Sequence, residues 1–344
     1  MEYKDRTLDK GKLGELLQGL LKDSEVWAPV LDGDQAFFRK ISSEEDVSWE
    51  FGNTVIPPHE LMLPQAEVLF RFEKRGQDIK LSDEPDTVKR TIIGIRPCDV
   101  HGILLLDTAL KENVDDPYYV KKREGTTLIS LMCSNPGPNC FCSSLGTGPD
   151  LDPGSGADLM LIDLGERFYV RVLSEKGQGI VNGLGGLFSE PSDADRKAAA
   201  RCKEKVEQGI GRTLELEGVP QVLEGMFDSD YWVKISRKCI GCGTCTYLCP
   251  TCYCFDVVDN CSHPDGERVR CWDSCTYPSF TLLAGGHNPR PTIAERYRQK
   301  IYHKFKFAFD RYDKPLCVGC GRCLDSCPVN LDIVRVISEL RGGP

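Results

Sequence analysis

Several patterns that define common classes of protein are missing from this sequence of 344 residues. It has no run of about 18 apolar residues, so we expect no membrane-spanning helix. The charged segment from Met1 to Arg6 leads into no apolar signal core, which favours a cytoplasmic protein whose thiols stay reduced. The net charge of −9 argues against nucleic acid as the main ligand, because phosphate binding needs a basic face.

Signatures of common catalytic sites are missing too. No G-x-G-x-x-G follows a predicted strand, so binding of a flavin or a nicotinamide by this chain is unsupported. The sequence also has no P-loop, no H-E-x-x-H and no nucleophile elbow. It does have 18 cysteines. In a reducing cytosol, metal binding is the main use that remains for so many thiols.

The N-terminal part, residues 1–226, has the pattern of an α/β domain. Leucines at helical spacing between positions 13 and 21 predict a helix. Four segments predict strands, the last two as a hairpin: residues 91–95, 127–132, 159–164 and 168–173. Residues 133–156 are rich in glycine, proline, serine and asparagine, so they predict a long irregular loop. A capped helix beginning near 192 opens a candidate linker region that extends to 226.

One cysteine pattern occurs twice in the last third of the chain. Cys239-x2-Cys242-x2-Cys245-x3-Cys249-Pro250 is repeated, with identical spacing, as Cys317-x2-Cys320-x2-Cys323-x3-Cys327-Pro328. This is the run with which bacterial ferredoxins hold iron–sulfur clusters. The first three thiols of each run lie on a short loop, and the glycines between them allow the backbone to approach a cluster closely.

The resemblance to two-cluster ferredoxins implies crossed ligation, because there the fourth cysteine of each run binds the other cluster. Cluster one would then be held by Cys239, Cys242, Cys245 and Cys327. Cluster two would be held by Cys317, Cys320, Cys323 and Cys249. The competing interpretation is a pair of zinc sites, but zinc sites usually show two separated Cys-x2-Cys pairs.

The spacer between the two runs predicts the type of domain that carries them. The 66 residues between Pro250 and Cys317 are too many for a compact ferredoxin, and their pattern is helical. Residues 294–309 predict one amphipathic helix with an apolar face that includes Ile301 and Phe305. We therefore expect residues 227–344 to form a mainly helical, ferredoxin-like domain rather than a small ββ-sandwich.

Four more cysteines lie in the N-terminal domain: Cys98, Cys133, Cys140 and Cys142. Cys98 and Cys133 each follow a predicted strand, so in a parallel sheet both lie at its carboxyl edge, where α/β proteins place their sites. Four converging thiols would suit a third cluster. The alternatives are inert core residues, or redox-active thiols, since Cys98 lies at a predicted helix N-terminus that favours thiolate.

Two features fit no standard motif. Five cysteines follow the first run without a recognised spacing: Cys252, Cys254, Cys261, Cys271 and Cys275. We interpret them as a wall that shields the clusters, with metal ligation as the alternative. A basic segment from Arg296 to Lys306 is either a solvated helix face or a source of positive charge that raises the cluster potentials or docks an acidic partner.

Several segments together resemble a family of 4Fe–4S di-cluster electron-transfer subunits. These segments are Arg96-Pro97-Cys98-Asp99, Cys133 to Gly148, Cys249-Pro250-Thr251-Cys252-Tyr253-Cys254-Phe255-Asp256, Trp272-Asp273-Ser274-Cys275 and Gly286-His287-Asn288-Pro289-Arg290. The family includes the β subunit of archaeal sulfhydrogenases, the di-cluster subunit of anaerobic sulfite reductase, and subunits that work beside heterodisulfide reductase. The resemblance covers most of the chain from about residue 55.

This resemblance implies a subunit of a cytoplasmic multi-subunit oxidoreductase with two 4Fe–4S clusters, or three if the N-terminal cysteines hold one. The subunit would relay single electrons between a flavin-containing, NAD(P)H-dependent subunit and a catalytic subunit of the hydrogenase, sulfite reductase or heterodisulfide reductase type. Two other hypotheses stay open. One is an iron–sulfur enzyme with its own catalytic cluster or redox thiol at the four N-terminal cysteines, and the other is a scaffold stapled by zinc.

Overall fold

The computed structural model describes residues 3–83 and 86–342, which form two compact units. The first unit comprises the described residues of Met1–Met62 together with Thr87–Thr213 and Val318–Gly321. The second comprises the described residues of Leu63–Asp86, Leu214–Cys317 and Arg322–Pro344. The main division therefore falls at 213/214, instead of the 226/227 expected from the sequence.

Strands and helices alternate through the first unit, and helices dominate the end of the chain. The strands are β1 Arg6–Asp9, β2 Glu25–Asp32, β3 Gln35–Lys40, β4 Ala66–Arg75, β5 Asp78–Ser82, β6 Arg90–Ile95, β7 Thr126–Leu131, β8 Leu159–Asp163, β9 Arg167–Val172, β10 Phe188–Ser189, β11 Phe255–Ser262 and β12 Asp265–Trp272. The helices are α1 Leu13–Asp23, α2 Pro97–Leu110, α3 Pro117–Glu124, α4 Glu175–Gly183, α5 Asp193–Gly209, α6 Val219–Gly225, α7 Tyr231–Ile235, α8 Thr244–Tyr247, α9 Ile293–Tyr302, α10 Ala308–Tyr312, α11 Arg322–Asp325 and α12 Ile333–Arg341. Among the residues described, none of these helices has the length and apolar character needed to cross a membrane.

An eight-stranded mixed sheet organises the first unit. Its order is β10-β1-β9-β8-β7-β6-β2-β3, and β6 runs parallel to both β2 and β7. The isoleucines of β6 are fully buried, as expected for a strand covered on both faces. Two sequence-based expectations are confirmed here, namely the α/β character of this part and the hairpin, which β8 and β9 form.

The core of the first unit lies between α1 and this sheet. Leu13, Leu16, Leu17 and Leu20 of α1 are buried, which is the face that the leucine spacing predicts. They form one cluster with apolar residues of the sheet such as Phe168.

A second sheet in the second unit corrects the prediction of a helical spacer. Its order is β11-β12-β4-β5, so the spacer contains the β11–β12 hairpin where only helix was expected. The segment His263-Pro264-Asp265-Gly266, whose first two residues form the turn, was the overlooked signal, since proline, aspartate and glycine are typical of turns. Strand β4 pairs with β12, and the buried Arg270–Glu67 ion pair, at 2.5 Å, joins them. This pairing accompanies the placement of the described residues of Leu63–Asp86 in the second unit.

Helices α9 and α10 are joined without a break by a π-helical turn, His303–Phe307, as the predicted amphipathic helix requires. Ile301 and Phe305 are fully buried. They belong to a second core, in which the rings of Trp232 and Tyr302 lie 5.7 Å apart. The continuous helical stretch 293–312 is the central helical element of the second unit and lies next to the first cysteine run.

A glycine in α4 gives a test of packing in the first unit. A Cβ at Gly177 would lie 2.0 Å from the carbonyl oxygen of Asp158, which is backbone and cannot easily move. We expect Gly177→Ala to lower the free energy of unfolding by about 1–3 kcal/mol through overpacking. Gly179→Ala in the same helix meets no atom within 4 Å, so it should be neutral or stabilising by about 1 kcal/mol. Denaturant unfolding of both variants measures the contrast, and equal midpoints would contradict this packing.

Candidate metal centres

Four cysteines of the two runs line one cavity in the second unit. Cys239, Cys242 and Cys245 come from the first run, and Cys327 comes from the second run, after α11. This is the set that the ferredoxin resemblance implies for cluster one. Cysteine thiolates in sets of four are the usual ligands of 4Fe–4S clusters, so the donor set fits such a group.

The loops of the two cysteine runs have the same backbone. Gly241 and Gly243 of the first run have φ of +66° and +78°, and Gly319 and Gly321 of the second have +63° and +80°. Such angles are in the left-handed region, which glycine adopts at little cost. The repeat in the sequence is therefore also a repeat in the conformation of these glycines.

The rest of the cavity wall combines apolar residues with Thr244, Thr276, Tyr297 and one cation. Leu331 donates its backbone N–H to Cys327 Sγ at 3.2 Å. Burial raises the pKa of the Cys239 thiol. Lys300 lies in the same wall, and although burial alone would lower its pKa, the neighbouring Cys245 and Cys323 thiolates raise it well above its usual range. The amine is therefore an ammonium ion among sulfurs.

A second lysine joins the ends of the two runs. Lys304 Nζ donates to Cys249 Sγ at 3.2 Å, to Thr251 Oγ1 at 2.9 Å and to the carbonyl oxygen of Leu316 at 2.8 Å. Burial would lower the pKa of Lys304, but the charges of Cys249, Cys252 and Cys317 outweigh it and raise the pKa. Cys249 and Cys317, both predicted ligands of cluster two, therefore lie around one ammonium group.

The other two members of that predicted set differ in position. Cys323 lies within the electrostatic reach of Lys300, in the second unit. Cys320 belongs to the short segment Val318–Gly321, which is part of the first unit.

In the first unit, the assignment of the four N-terminal cysteines to a third cluster stays a prediction. Because β6 and β7 are parallel, Cys98 and Cys133 follow neighbouring strand ends. Burial, together with the charges of Cys133 and Cys140, raises the pKa of Cys142 to about 12, so these three thiols lie within electrostatic reach of one another. Cys98 is buried in the first turn of α2. Its neighbour Pro97 lies near the same loop, since a Cβ at Gly148 would be 3.7 Å from Pro97 Cβ and 3.4 Å from Cys142 Sγ.

The segment Val318–Gly321 packs against this cysteine loop. The backbone N–H of Phe141 donates to Gly319 O at 2.8 Å, and Thr147 Oγ1 donates to Val318 O at 2.8 Å. Asn53 Nδ2 donates to Cys320 O at 2.7 Å. The loop of the N-terminal cysteines and the middle of the second run thus form one hydrogen-bonded structure, which sequence spacing alone does not reveal.

The five cysteines that were assigned to a shielding wall differ in exposure. Cys275 is buried and Cys261 is exposed on the β11–β12 hairpin, while the others, Cys252, Cys254 and Cys271, are half-buried. The thiol of Cys275 donates to Cys254, which lowers the pKa of Cys254 and raises that of Cys275. Both line a cavity that also contains Arg290 and His303. Their assignment to the wall stays a prediction.

The cysteine geometry and the similarity of this chain to known proteins identify an iron–sulfur protein. Residues 238–331 match the model of the 4Fe-4S dicluster domain. Over 330 residues the chain is 33% identical to sulfhydrogenase 2 subunit beta of Pyrococcus furiosus, with 96% of each chain covered. The chain therefore belongs to the family of this sulfhydrogenase β subunit.

A more distant relative extends the comparison. The F420-dependent formate dehydrogenase subunit beta of Methanocaldococcus jannaschii is 20% identical over 183 residues, which cover 50% of this chain and 38% of that protein. Both relatives are β subunits of oxidoreductases. The family predicted from the segments around Cys98, Cys249 and Cys275 is confirmed, as is the 4Fe–4S domain.

The close contact at Gly319 predicts a specific loss of stability. A Cβ there would lie 2.6 Å from the backbone nitrogen of Cys142, and the residue has φ of +63°. Gly33 has the same φ but nothing within 4 Å of its Cβ position, so Gly33→Ala isolates the backbone strain of about 1 kcal/mol. We expect Gly319→Ala to cost about 1–3 kcal/mol more than Gly33→Ala, because of the clash. Anaerobic denaturation of both variants measures the difference, and equal costs would contradict the contact.

Proposed function

We propose that this chain relays single electrons within a multi-subunit oxidoreductase. Cysteine-ligated 4Fe–4S clusters take up and release one electron at a time. The observation that carries the proposal is that Cys327 of the second run lines the same cavity as Cys239, Cys242 and Cys245 of the first. Ligands crossed between the two runs would keep the two clusters next to one another, as a relay requires.

We assign the ligand sets as the ferredoxin pattern implies. Cluster one takes Cys239, Cys242, Cys245 and Cys327, and cluster two takes Cys317, Cys320, Cys323 and Cys249. The first assignment is supported by the shared cavity, and the second by the position of Cys249 and Cys317 around Lys304. The neighbouring thiols Cys133, Cys140 and Cys142, with Cys98 beside their loop, are the candidates for a third cluster.

The partners follow from the chemistry that the chain itself lacks. We propose that a flavin-containing, NAD(P)H-dependent subunit exchanges electrons with this chain at one end and that a separate catalytic redox subunit does so at the other. This is supported by the names of the relatives, since both are β subunits of enzymes that carry out redox reactions. A cytoplasmic location fits the many thiols, which need a reducing environment.

The competing hypothesis of a redox-active thiol in the N-terminal domain receives less support. A reactive cysteine needs a lowered pKa, because the thiolate is the nucleophile. Burial instead raises the pKa of Cys142 to about 12. Buried thiols of this kind are better explained as ligands of a metal cluster, because the metal itself deprotonates them.

Substitution of ligands tests the crossed sets. We expect Cys239→Ser and Cys327→Ser to remove the same EPR signal. Each should lower the iron content by up to about four atoms per chain, starting from about eight atoms if the chain holds two clusters or about twelve if it holds three. Cys317→Ser should remove a different signal. Cys261→Ser, on the exposed hairpin, is the matched control and should change neither. Zinc in place of iron, or no acid-labile sulfide, would refute the relay.

Electron exchange with the partner tests the placement of the chain in a complex. The isolated chain should be reduced by dithionite but only slowly by NADPH or NADH, because its sequence has no G-x-G-x-x-G motif for a hydride-accepting cofactor after a predicted strand. Adding the flavin-containing subunit of its native complex should accelerate cluster reduction by NAD(P)H at least about tenfold. The rate is measured as the loss of visible absorbance of the clusters. Rapid reduction by NAD(P)H without any partner would mean that the chain has an acceptor site of its own.

A further inference from the structure

Three cations lie along one face of the helical stretch 293–312, where they are withdrawn from solvent. Arg296, Lys300 and Lys304 are spaced four residues apart, and their relative exposures are 7%, 4% and 4%. Residues at this spacing share a helix face. Lysine and arginine are almost never buried without a partner, so each of the three needs a compensating group. The solvated-face interpretation of this basic segment does not hold for them.

The arginine is accounted for by the main chain. Its Nε donates to Thr276 O at 2.9 Å, and its Nη1 donates to Arg290 O at 3.0 Å and to Pro291 O at 2.7 Å. Carbonyl groups of two loops therefore satisfy Arg296, which fixes those loops. The two lysines differ from it, because cysteine sulfurs are among their partners.

Leu316, the residue before Cys317, binds both the side chain and the main chain of Lys304. Its ammonium donates to Leu316 O, and its own carbonyl oxygen accepts from Leu316 N at 3.0 Å. This leaves its remaining contacts for Thr251 Oγ1 and, at 3.2 Å, Cys249 Sγ. Lys304 is the second residue of the π-helical turn His303–Phe307, and such turns often occur at functional sites.

Lys300 lies one turn earlier and faces sulfurs of both cysteine runs. It lines the cavity of Cys239, Cys242, Cys245 and Cys327, and it donates a hydrogen bond to Cys245. Lys300 therefore stands beside the proposed ligands of cluster one, whereas Lys304 stands beside two proposed ligands of cluster two.

We propose that Lys300 and Lys304 set the reduction potentials of the two clusters, Lys304 acting on cluster two and Lys300 on cluster one. This rests on the proposed function. Reduction adds one electron to a cluster and changes no bond at either lysine, so a fixed positive charge beside the ligand sulfurs stabilises the reduced form more than the oxidised form. Both potentials are therefore higher than cysteine ligation alone would make them.

Substitutions along this one helix test the proposal. Full-length protein, purified anaerobically, is titrated with a reductant while the EPR signals are followed, and Cys317→Ser identifies the signal of cluster two. Lys304→Gln should disfavour reduction of cluster two at least about tenfold, which is about 59 mV for a one-electron couple, and leave cluster one unchanged. Lys300→Gln should shift cluster one more than cluster two, while Lys304→Arg keeps the charge and should shift cluster two less than Lys304→Gln does.

Lys306→Gln is the matched control. Lys306 lies two residues further on and pairs with Asp310 at 2.7 Å, on the exposed side of the helix, so both potentials should be unchanged. If Lys304→Gln and Lys300→Gln keep both their full iron content and the wild-type potentials, this inference is wrong but the proposed function stands. If the wild-type protein contains no iron and no sulfide, both the inference and the proposed function are wrong. If Lys304→Gln loses the irons of cluster two but Lys304→Arg keeps them, the charge is required there, which supports the proposal. Loss of those irons in both variants would assign Lys304 a structural role and overturn it.

Discussion

The second unit depends on one electrostatic constraint, which is that thiolates gathered away from water need positive charge beside them. Cys249 is fully enclosed, and its pKa lies well below its usual range because Cys252 donates a hydrogen bond to it and Lys304 adds a positive charge. Without such partners, buried thiolates would repel one another and take up protons. Lys304 also binds the main chain at Leu316, directly before Cys317. One side chain therefore ties the end of the first cysteine run to the start of the second.

Much of this arrangement follows from local sequence patterns. Identical spacing in the two cysteine runs is enough to predict two equivalent loops, and the matching φ angles of Gly241 and Gly319 are the structural form of that repeat. Leucine spacing in α1 and the apolar run in β6 predict their elements because burial alone determines them. The sheet edge near Cys98 and Cys133 was predictable as well, since it requires only that two neighbouring strands be parallel.

The features that escaped prediction all depend on contacts between distant parts of the chain. The strand β4 lies nearly 200 residues from its partner β12, so no local pattern assigns residues 63–86 to the second unit. The β11–β12 hairpin has polar, exposed positions along β11, and its alternation is too weak to stand out within a spacer that is otherwise helical. Burial of Lys300 and Lys304 is harder still to predict, because a lysine at a helix surface looks the same in sequence whether water or sulfur faces it.

The contrast between net charge and local charge explains why composition says little about this site. The chain carries nine more acidic than basic side chains, yet the groups buried beside the cysteine runs are cations. Surface carboxylates are screened by water and salt, so their number affects solubility and encounter with partners far more than it affects a buried sulfur. An ammonium a few ångströms from a ligand sulfur, in a region without water, acts through a much lower effective dielectric constant. Two lysines in the right place therefore outweigh a surplus of distant carboxylates in the field that an arriving electron meets.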